Sequence, residues 1–318
     1  MINLAVDFGN GYSVLTDYQR TISLKSAYLE VENQINNINL DDNIGYTFDG
    51  RHYVVGKSSA GDPEAIKTFR SEKPVVAPYI FRALMVVYQA SKGLEPVNLT
   101  IIDTDPRINE RAYKKGLEGK HEIHYRKEGQ DHLFTVVVDS VKCVREGFGT
   151  YLAFTNQYGF PSDTPLIAVL NVGCGTLDLL IYGQGGKEKD SFTKKDFGCF
   201  NFAKKLSGML RESKITTDNV SVEAIFDALE NGNQLKYFNH KTKEVKTADI
   251  SKHIKKYSVE YLQASVKSLV AEKPEYRELI GKIVCVGGLA NNLPLSPDQY
   301  VTRIDNPLTA NVEGLQYA

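Results

Sequence analysis

The sequence of 318 residues lacks closely spaced cysteines. Its four cysteines, Cys143, Cys174, Cys199 and Cys285, include no CxxC pair. Zinc knuckles and thioredoxin-like redox motifs both need that spacing, so the sequence excludes these two classes. The four side chains are expected to be reduced thiols, as is usual in a cytoplasmic protein.

Long apolar segments and an excess of one charge are also absent. The most apolar stretch, Val75 to Ala90, is interrupted by Pro78 and Arg82 and is too short to span a bilayer. The N-terminus has no basic region, and Asp7 breaks its apolar run, which argues against a signal peptide. The 38 basic and 39 acidic residues give a formal charge of −1, so the overall charge gives no reason to expect tight binding to nucleic acid or to an anionic membrane. We therefore expect a cytoplasmic protein with no membrane partner.

The composition is that of a folded α/β chain. Hydrophobic residues make up 42% and charged residues 24%, both ordinary values. At roughly 150 residues per domain, the length predicts about two domains. Phe160 to Asp163 is the best linker candidate. Predicted strands and helices are mixed throughout, which favours an α/β protein over an all-helical or all-β one.

Apolar periodicity and turn residues predict the elements of the chain. The predicted strands are Ile2–Val6, Ser13–Thr16, Thr21–Leu24, Asn98–Ile102, Glu122–Tyr125, Leu133–Val138, Val141–Val144, Leu166–Leu170, Leu177–Tyr182 and Ile283–Val286. Hairpins are predicted over Tyr46–Val55 and Phe238–Thr247, and a loop over Asn33–Asn43. The predicted helices are one from Pro78 to Ala90, then Asn109–Leu117, Gly147–Tyr158, Phe200–Leu210, Val222–Leu229, Ile250–Ala271 and Asn306–Gln316.

One pattern occurs twice, 164 positions apart. Residues 5–11 read AVDFGNG and residues 169–175 read VLNVGCG: an apolar strand, Asp or Asn, an apolar residue and then Gly-x-Gly. The spacing is close to half of the chain. Two lobes of related build, each with a glycine turn at a strand end, are the simplest explanation.

Such turns can bind phosphate. Glycine lets backbone N–H groups approach an anion, and consecutive N–H groups form an anion-binding nest. A carboxylate at a strand end can hold Mg²⁺ through water. With Asp7 and Asp178 beside them, two turns could grip a triphosphate from both sides, although each alone could be an ordinary hairpin turn.

Other phosphate and metal motifs fit less well. The segment Gly56-Lys57-Ser58 ends like a P-loop, but Arg51 stands where the first glycine belongs. A Rossmann turn opens a helix, whereas strand-like residues follow both glycine turns here. His121 and His124 lack the spacing of a zinc protease.

Five segments together resemble the superfamily of actin, the sugar kinases and the DnaK-type chaperones. They are the first phosphate motif at 6–13, the connecting segment at 145–149, the second phosphate motif at 170–178, the adenosine motif at 284–290 and the second connecting helix at 310–315. All five occur in the order that the superfamily has. The short chain is most similar to the bacterial ParM/StbA type of plasmid-segregation actin, because chaperones and sugar kinases are longer.

The resemblance implies an α/β, actin-like (ribonuclease H-like, duplicated) two-lobe fold with a nucleotide cleft between the lobes. Domain I would comprise residues 1–160 and the C-terminal helix 306–318, and domain II residues 161–305. It also implies binding of ATP (or GTP) with Mg²⁺ and polymerisation with itself into filaments. Plasmid DNA would be linked only indirectly, through an adaptor protein.

The resemblance also assigns residues. It implies that nucleotide phosphates are bound by Gly9, Asn10, Gly11, Tyr12 and Ser13 on one side and by Gly173, Cys174, Gly175 and Thr176 on the other. Gly287 and Gly288 would admit adenosine. Asp7 and Asp178 would bind the magnesium shell. The catalytic set would be Glu146, which orients the attacking water, with Asn171 and Asp178.

Two positions depart from the family pattern. Asn171 replaces the usual Asp and is no base, and Val14 replaces a frequent Lys. Binding depends mainly on backbone N–H groups, whereas one positioned acid–base group is worth roughly 10²–10⁴-fold in rate. The sequence therefore predicts retained nucleotide and Mg²⁺ binding with slow hydrolysis. A small-molecule phosphotransferase and a non-hydrolysing scaffold of the same fold are the alternatives.

Overall fold

A computed structural model of the chain describes residues 1–9, 11–32, 43–57, 59, 62, 64–67, 72–89, 95–127, 129–195, 197–292 and 299–318. The chain forms two compact units, Met1–Asn156 with Thr309–Ala318, and Gln157–Leu308. Most of the predicted loop Asn33–Asn43 lies outside the described residues. All four cysteines are free thiols, as the sequence predicts.

The first unit is built on a ten-stranded sheet in the described part of the chain, with the order β3-β2-β1-β8-β10-β9-β5-β6-β4-β7. Its strands are β1 (Ile2–Phe8), β2 (Tyr12–Thr16), β3 (Thr21–Lys25), β4 (Ala27–Val31), β5 (Asn43–Phe48), β6 (Arg51–Gly56), β7 (Ile66–Lys67), β8 (Val97–Asp103), β9 (Gly119–Lys127) and β10 (Gln130–Arg145). β1, β2 and β3 form an antiparallel meander, while β8 runs parallel to both β1 and β10.

Helices α1 (Lys73–Gln89), α2 (Pro106–Leu117) and α3 (Phe148–Tyr158) belong to this unit, with a short C-terminal helix, Ala310–Glu313. The core combines strand residues with α1, which is buried around most of its circumference, and with Tyr113 and Leu117 on one face of α2. α1 begins at Lys73 and contains Pro78, so the prediction of a helix that only follows Pro78 was wrong at its start.

The second unit has a five-stranded sheet in its described residues, with the order β13-β12-β11-β16-β17. The elements are β11 (Leu166–Val172), β12 (Thr176–Gly183), β13 (Glu188–Lys195), α4 (Cys199–Glu212), α5 (Val222–Glu230), β14 (Gln234–Asn239), β15 (Glu244–Asp249), α6 (Ser251–Glu272), β16 (Ile280–Gly287) and β17 (Val301–Arg303). β11 is buried at every position because it lies inside the sheet under helices, as a continuous apolar run predicts.

The two units share a topology. In each, three antiparallel strands in reverse chain order are followed by two strands parallel to the first: β3-β2-β1-β8-β10 and β13-β12-β11-β16-β17. The duplicated sequence pattern therefore reflects a duplicated fold, with a glycine turn between the first and second strands of each copy.

Two predicted boundaries need correction. Val141–Val144 is no separate strand but the end of β10, which continues through a register shift between Val138 and Ser140. The predicted tail helix Asn306–Gln316 starts only at Ala310, and its last turn, Gly314–Tyr317, is a 3₁₀ turn. No helix in the described ranges is both long and apolar enough to cross a membrane.

Candidate functional site

The first glycine turn joins β1 to β2 in the first unit. A Cβ on Gly9 would lie 2.5 Å from the carbonyl oxygen of Tyr12, so this position requires glycine. The carbonyl of Gly11 accepts a hydrogen bond from the Ser26 N–H at 3.1 Å, which extends the pairing of β2 with β3 to the turn. Asn10 lies outside the described residues.

Ser13 and Val14 follow the turn on β2 and are both buried. The Ser13 hydroxyl lies 2.8 Å from the Ser26 hydroxyl, so that it already has a protein partner. Val14 packs in a small apolar cluster with Ala5, Ile102, Val312 and Leu315. Burying a lysine ammonium in that cluster without a partner or water would be costly, so these surroundings favour an apolar residue at position 14.

Asp7 is the penultimate residue of β1 and lies two positions before Gly9 of the first glycine turn. Its Oδ1 atom is buried and has no hydrogen-bond partner in the described part of the chain. Burial raises the pKa of Asp7 above its ordinary value; the Lys73 ammonium lowers it, and the Asp103 carboxylate raises it further. An unsatisfied buried carboxylate oxygen is costly without a cation or water beside it.

Asp103 is a buried carboxylate that was not among the site residues predicted from the sequence. It ends β8, and its Oδ1 accepts the Asp105 N–H at 2.7 Å and the Asn109 side-chain amide at 2.8 Å. Its Oδ2 accepts the Tyr113 hydroxyl at 2.8 Å, and its backbone carbonyl accepts the Glu146 N–H at 2.9 Å. Asp103 thus ties α2 and the segment at Glu146 to the strand end beside Asp7.

Glu146 is 92% buried, at the turn between β10 and α3. Gly147 follows it with a positive φ of 81°, which turns the chain into the helix. A Cβ on Gly149 would overlap the Asn311 carbonyl, so α3 and the C-terminal helix touch backbone to backbone. The Thr150 hydroxyl donates to the Asn311 side chain at 2.7 Å. The two connecting segments named in the sequence are therefore in direct contact.

The second glycine turn, between β11 and β12, packs against the start of α4. The Cys199 N–H donates to the Gly173 carbonyl and the Phe200 N–H to the Cys174 carbonyl, both at 2.9 Å. These bonds fix the turn and satisfy two N–H groups that a helix start leaves open. The space around the Cα of Gly175 is open, with no atom within 4 Å of an added Cβ.

Asn171 and Asp178 are register partners on β11 and β12, and both are buried. The Asp178 carboxylate accepts the Thr176 hydroxyl at 2.9 Å and the Thr193 hydroxyl at 2.6 Å. The structure brings an amide and a carboxylate together at this position. Asn in place of Asp avoids two like charges directly opposite each other.

Gly287 and Gly288 lie at the end of β16, beside the second turn. Gly287 has a φ of 93°, and a Cβ there would overlap the Val172 carbonyl. Its N–H donates to the Pro307 carbonyl at 3.0 Å. The structure therefore places three predicted groups of the second unit together: the glycine turn, the Asn171–Asp178 pair and this glycine pair.

The acidic side chains of the described residues suit Mg²⁺ bound through water better than a directly coordinated metal ion. No group of three or more His, Cys, Asp or Glu side chains in the described ranges could hold a metal ion directly. Mg²⁺ keeps several waters and uses one or two protein carboxylates together with substrate phosphates. The orphaned Oδ1 of Asp7 fits that manner of binding, whereas each oxygen of Asp178 already accepts one threonine hydroxyl and keeps only part of its acceptor capacity.

Residues 5–149 match the family described as actin like proteins N terminal domain. No curated protein matches the sequence. The fold is similar to that of the archaeal actin homologue Ta0583 (TM-score 0.73, 17% identity, 99% of this chain and 98% of that chain), which was also solved in complex with ADP.

Two ParM structures are similar over almost the whole chain as well. One is a 15-stranded ParM filament from Clostridium botulinum (TM-score 0.69, 16% identity, 98% of this chain and 97% of that chain). The other is Bacillus thuringiensis ParM with ATP (TM-score 0.66, 15% identity, 99% and 97%). The resemblance drawn from the five motifs is thus confirmed: the chain has the fold of the actin-like ATPase superfamily, with similarity to ParM-type proteins.

Proposed function

We propose that the chain is a nucleotide-dependent filament protein that binds ATP or GTP with Mg²⁺, polymerises with itself and serves plasmid or other DNA segregation through an adaptor. The observation that carries this is the duplicated strand–glycine turn–strand unit with Asp7 at the first turn. The ADP complex of the archaeal homologue, the ATP complex of the Bacillus ParM and the Clostridium ParM filament support it.

The phosphates would be held by backbone N–H groups. Gly9, Gly11 and Tyr12 would supply them on one side and residues 173–176 on the other, where the space around Gly175 is open. The Ser13 hydroxyl already shares a hydrogen bond with the Ser26 hydroxyl, which would hold it in place beside the phosphates. Asn10 remains a prediction from the sequence.

Asp7 and Glu146 would carry the charged part of the site. Mg²⁺, when bound, neutralises phosphate charge, and the Oδ1 of Asp7 would accept from its water shell. Glu146, held at its backbone by Asp103, would orient the attacking water. Asp178 would act through Thr176, whose hydroxyl it already fixes beside the second turn.

The geometry around Asn171 supports slow hydrolysis. A neutral amide cannot take a proton from water, and the carboxylate of its register partner, Asp178, accepts two threonine hydroxyl bonds. This feature also supports a second candidate, an actin-fold scaffold that binds nucleotide without turning it over.

Three measurements on the purified chain test the proposal. Titration with ATP and GTP, with and without Mg²⁺, measures binding; phosphate release measures hydrolysis; electron microscopy with and without nucleotide detects filaments. Binding with filaments supports the proposal. Binding without turnover or polymer selects the scaffold, and absence of binding rejects both.

A further inference from the structure

The hairpin of β14 and β15 carries an exposed apolar pair. Phe238 and Val245 are register partners and are 48% and 70% exposed. Lys236 lies on the same face, because side chains alternate along a strand. Single exposed apolar residues are ordinary, but two that stand directly opposite each other form a contact patch.

The hairpin is held rigidly by its other face. Leu235 is fully buried in the core of the second unit, and the Tyr237 hydroxyl donates to the Ile215 carbonyl at 2.9 Å. At the tip, the Asn239 side chain accepts the N–H groups of Lys241 and Thr242 at 3.0 and 3.2 Å. A surface fixed before contact loses little conformational entropy on binding.

The hairpin also carries an excess of positive charge. Residues 234–249 contain four lysines, Lys236, Lys241, Lys243 and Lys246, and two acidic residues, Glu244 and Asp249, although the whole chain has a net charge of −1. Lys236, Lys241 and Lys243 form no ion pair with any residue in the described ranges. The patch therefore needs a partner that offers carboxylates around an apolar centre.

Such a surface lies on the first unit of the same chain. The hairpins β5–β6 and β9–β10 line a groove of about 740 Å³. Its apolar lining includes Phe48, Tyr125 and Leu133, the last of which is 59% exposed. Three carboxylates, Asp49, Glu122 and Asp131, line it against one lysine, Lys120, which pairs with Glu122; His52, His124 and His132 also line it. The Asp131 side chain is 75% exposed and lies 3.5 Å from the Arg126 Nε.

We infer that the β14–β15 hairpin of one copy docks in this groove of a second copy. Phe238 and Val245 would face Phe48, Tyr125 and Leu133, and the tip lysines would face Asp49 and Asp131. The contact joins two different surfaces, so it propagates head to tail into an open polymer unless the rotation closes a ring. The inference rests on the self-association in the proposed function and names its surfaces.

Duplex nucleic acid is the competing occupant, because a two-stranded ribbon fits the major groove. The centre of the patch argues against it. Phosphates satisfy lysines but offer nothing to Phe238 and Val245, whereas an aromatic anchor inside a polar rim is typical of protein–protein contacts.

Sedimentation velocity of the full chain over a concentration series, with and without ATP and Mg²⁺, tests the contact by charge exchange. Lys241→Glu and Asp131→Lys should each weaken self-association by about tenfold, since close interfacial charge pairs carry about that much coupling or more. The double variant Lys241→Glu/Asp131→Lys should recover most of the loss. Lys187→Glu, an exposed lysine outside both surfaces, should change nothing.

Binding of ATP, measured on every variant, separates this inference from the proposed function. Variants that bind ATP normally and still associate like the wild-type chain overturn the docking contact while the proposed function stands. A wild-type chain that stays monomeric in all conditions overturns the contact as well. Loss of duplex DNA retention in Lys241→Glu, with association unchanged, would assign the hairpin to nucleic acid instead.

Discussion

At the residue scale, the proposed function predicts that Asn171 limits the rate of nucleotide hydrolysis. Asn171→Asp should raise single-turnover phosphate release by roughly 10²-fold, because it adds an acid–base group at the second turn. The new carboxylate would stand opposite Asp178 in a buried register pair, so the melting temperature should fall. Asn171→Ala, which removes the amide and adds no charge, is the control and should not be faster. An unchanged rate in Asn171→Asp would show that this position does not limit hydrolysis.

The buried carboxylate of Asp7 should lower the free energy of unfolding near neutral pH. Its folded pKa is raised, above all by burial, so the folded state prefers the protonated acid more than the unfolded state does. Its contribution is therefore most favourable below the unfolded pKa and is lost as pH rises through the folded pKa. With chelator present and no nucleotide, Asp7→Asn should melt higher than wild type at pH 7.5, with the difference shrinking at acidic pH.

The same variant should bind nucleotide with Mg²⁺ more weakly. A buried carboxylate such as Asp7, which destabilises the fold when ionised, indicates a role in binding. If Asp7→Asn melted lower than wild type at pH 7.5, in thermal scans at matched ionic strength, the raised pKa assigned to Asp7 would be contradicted.

At the element scale, the contact of α3 with the C-terminal helix depends on the absence of a side chain at Gly149. Gly149→Ala would push its Cβ into the Asn311 carbonyl and should destabilise the chain by about 1–3 kcal/mol or more, the usual effect of overpacking. Gly208→Ala is the matched control: it lies inside α4 with open space around it and should be neutral or stabilising by about 0.4–1 kcal/mol. Chemical denaturation measures both.

Elements also show where sequence reasoning succeeds. Both glycine turns were predictable, since an apolar run ending in Gly-x-Gly and followed by another apolar run has few other solutions. The start of α1 at Lys73 was hidden by Pro78, which is usually a helix boundary but here lies inside the helix. Asp103 gave no signal beyond an acidic residue after a strand. Its role depends on Asn109 and Tyr113, which only the folded α2 brings to it.

At the scale of the whole molecule, each unit carries one glycine turn, and the proposed function requires one nucleotide to engage both. Saturating ATP with Mg²⁺, at 100 times its Kd, should stabilise the chain by about 2.7 kcal/mol. Hydrogen exchange should slow at residues 7–13 and at residues 173–176 together. Protection of only one turn would mean that the units bind nucleotide separately or that one of them does not bind.

Gly175→Val turns this expectation into a direct test. The position has open space, so the added side chain meets no atom within 4 Å of its Cβ and the melting temperature without nucleotide should be unchanged. The same side chain would occupy the approach of a phosphate to the turn, so the stabilisation by ATP should disappear. If one nucleotide engages both turns, as the proposed function requires, protection should be lost at residues 7–13 as well, although the substitution lies in the other unit. Retained protection at residues 7–13 would show that the first turn holds nucleotide without help from the second.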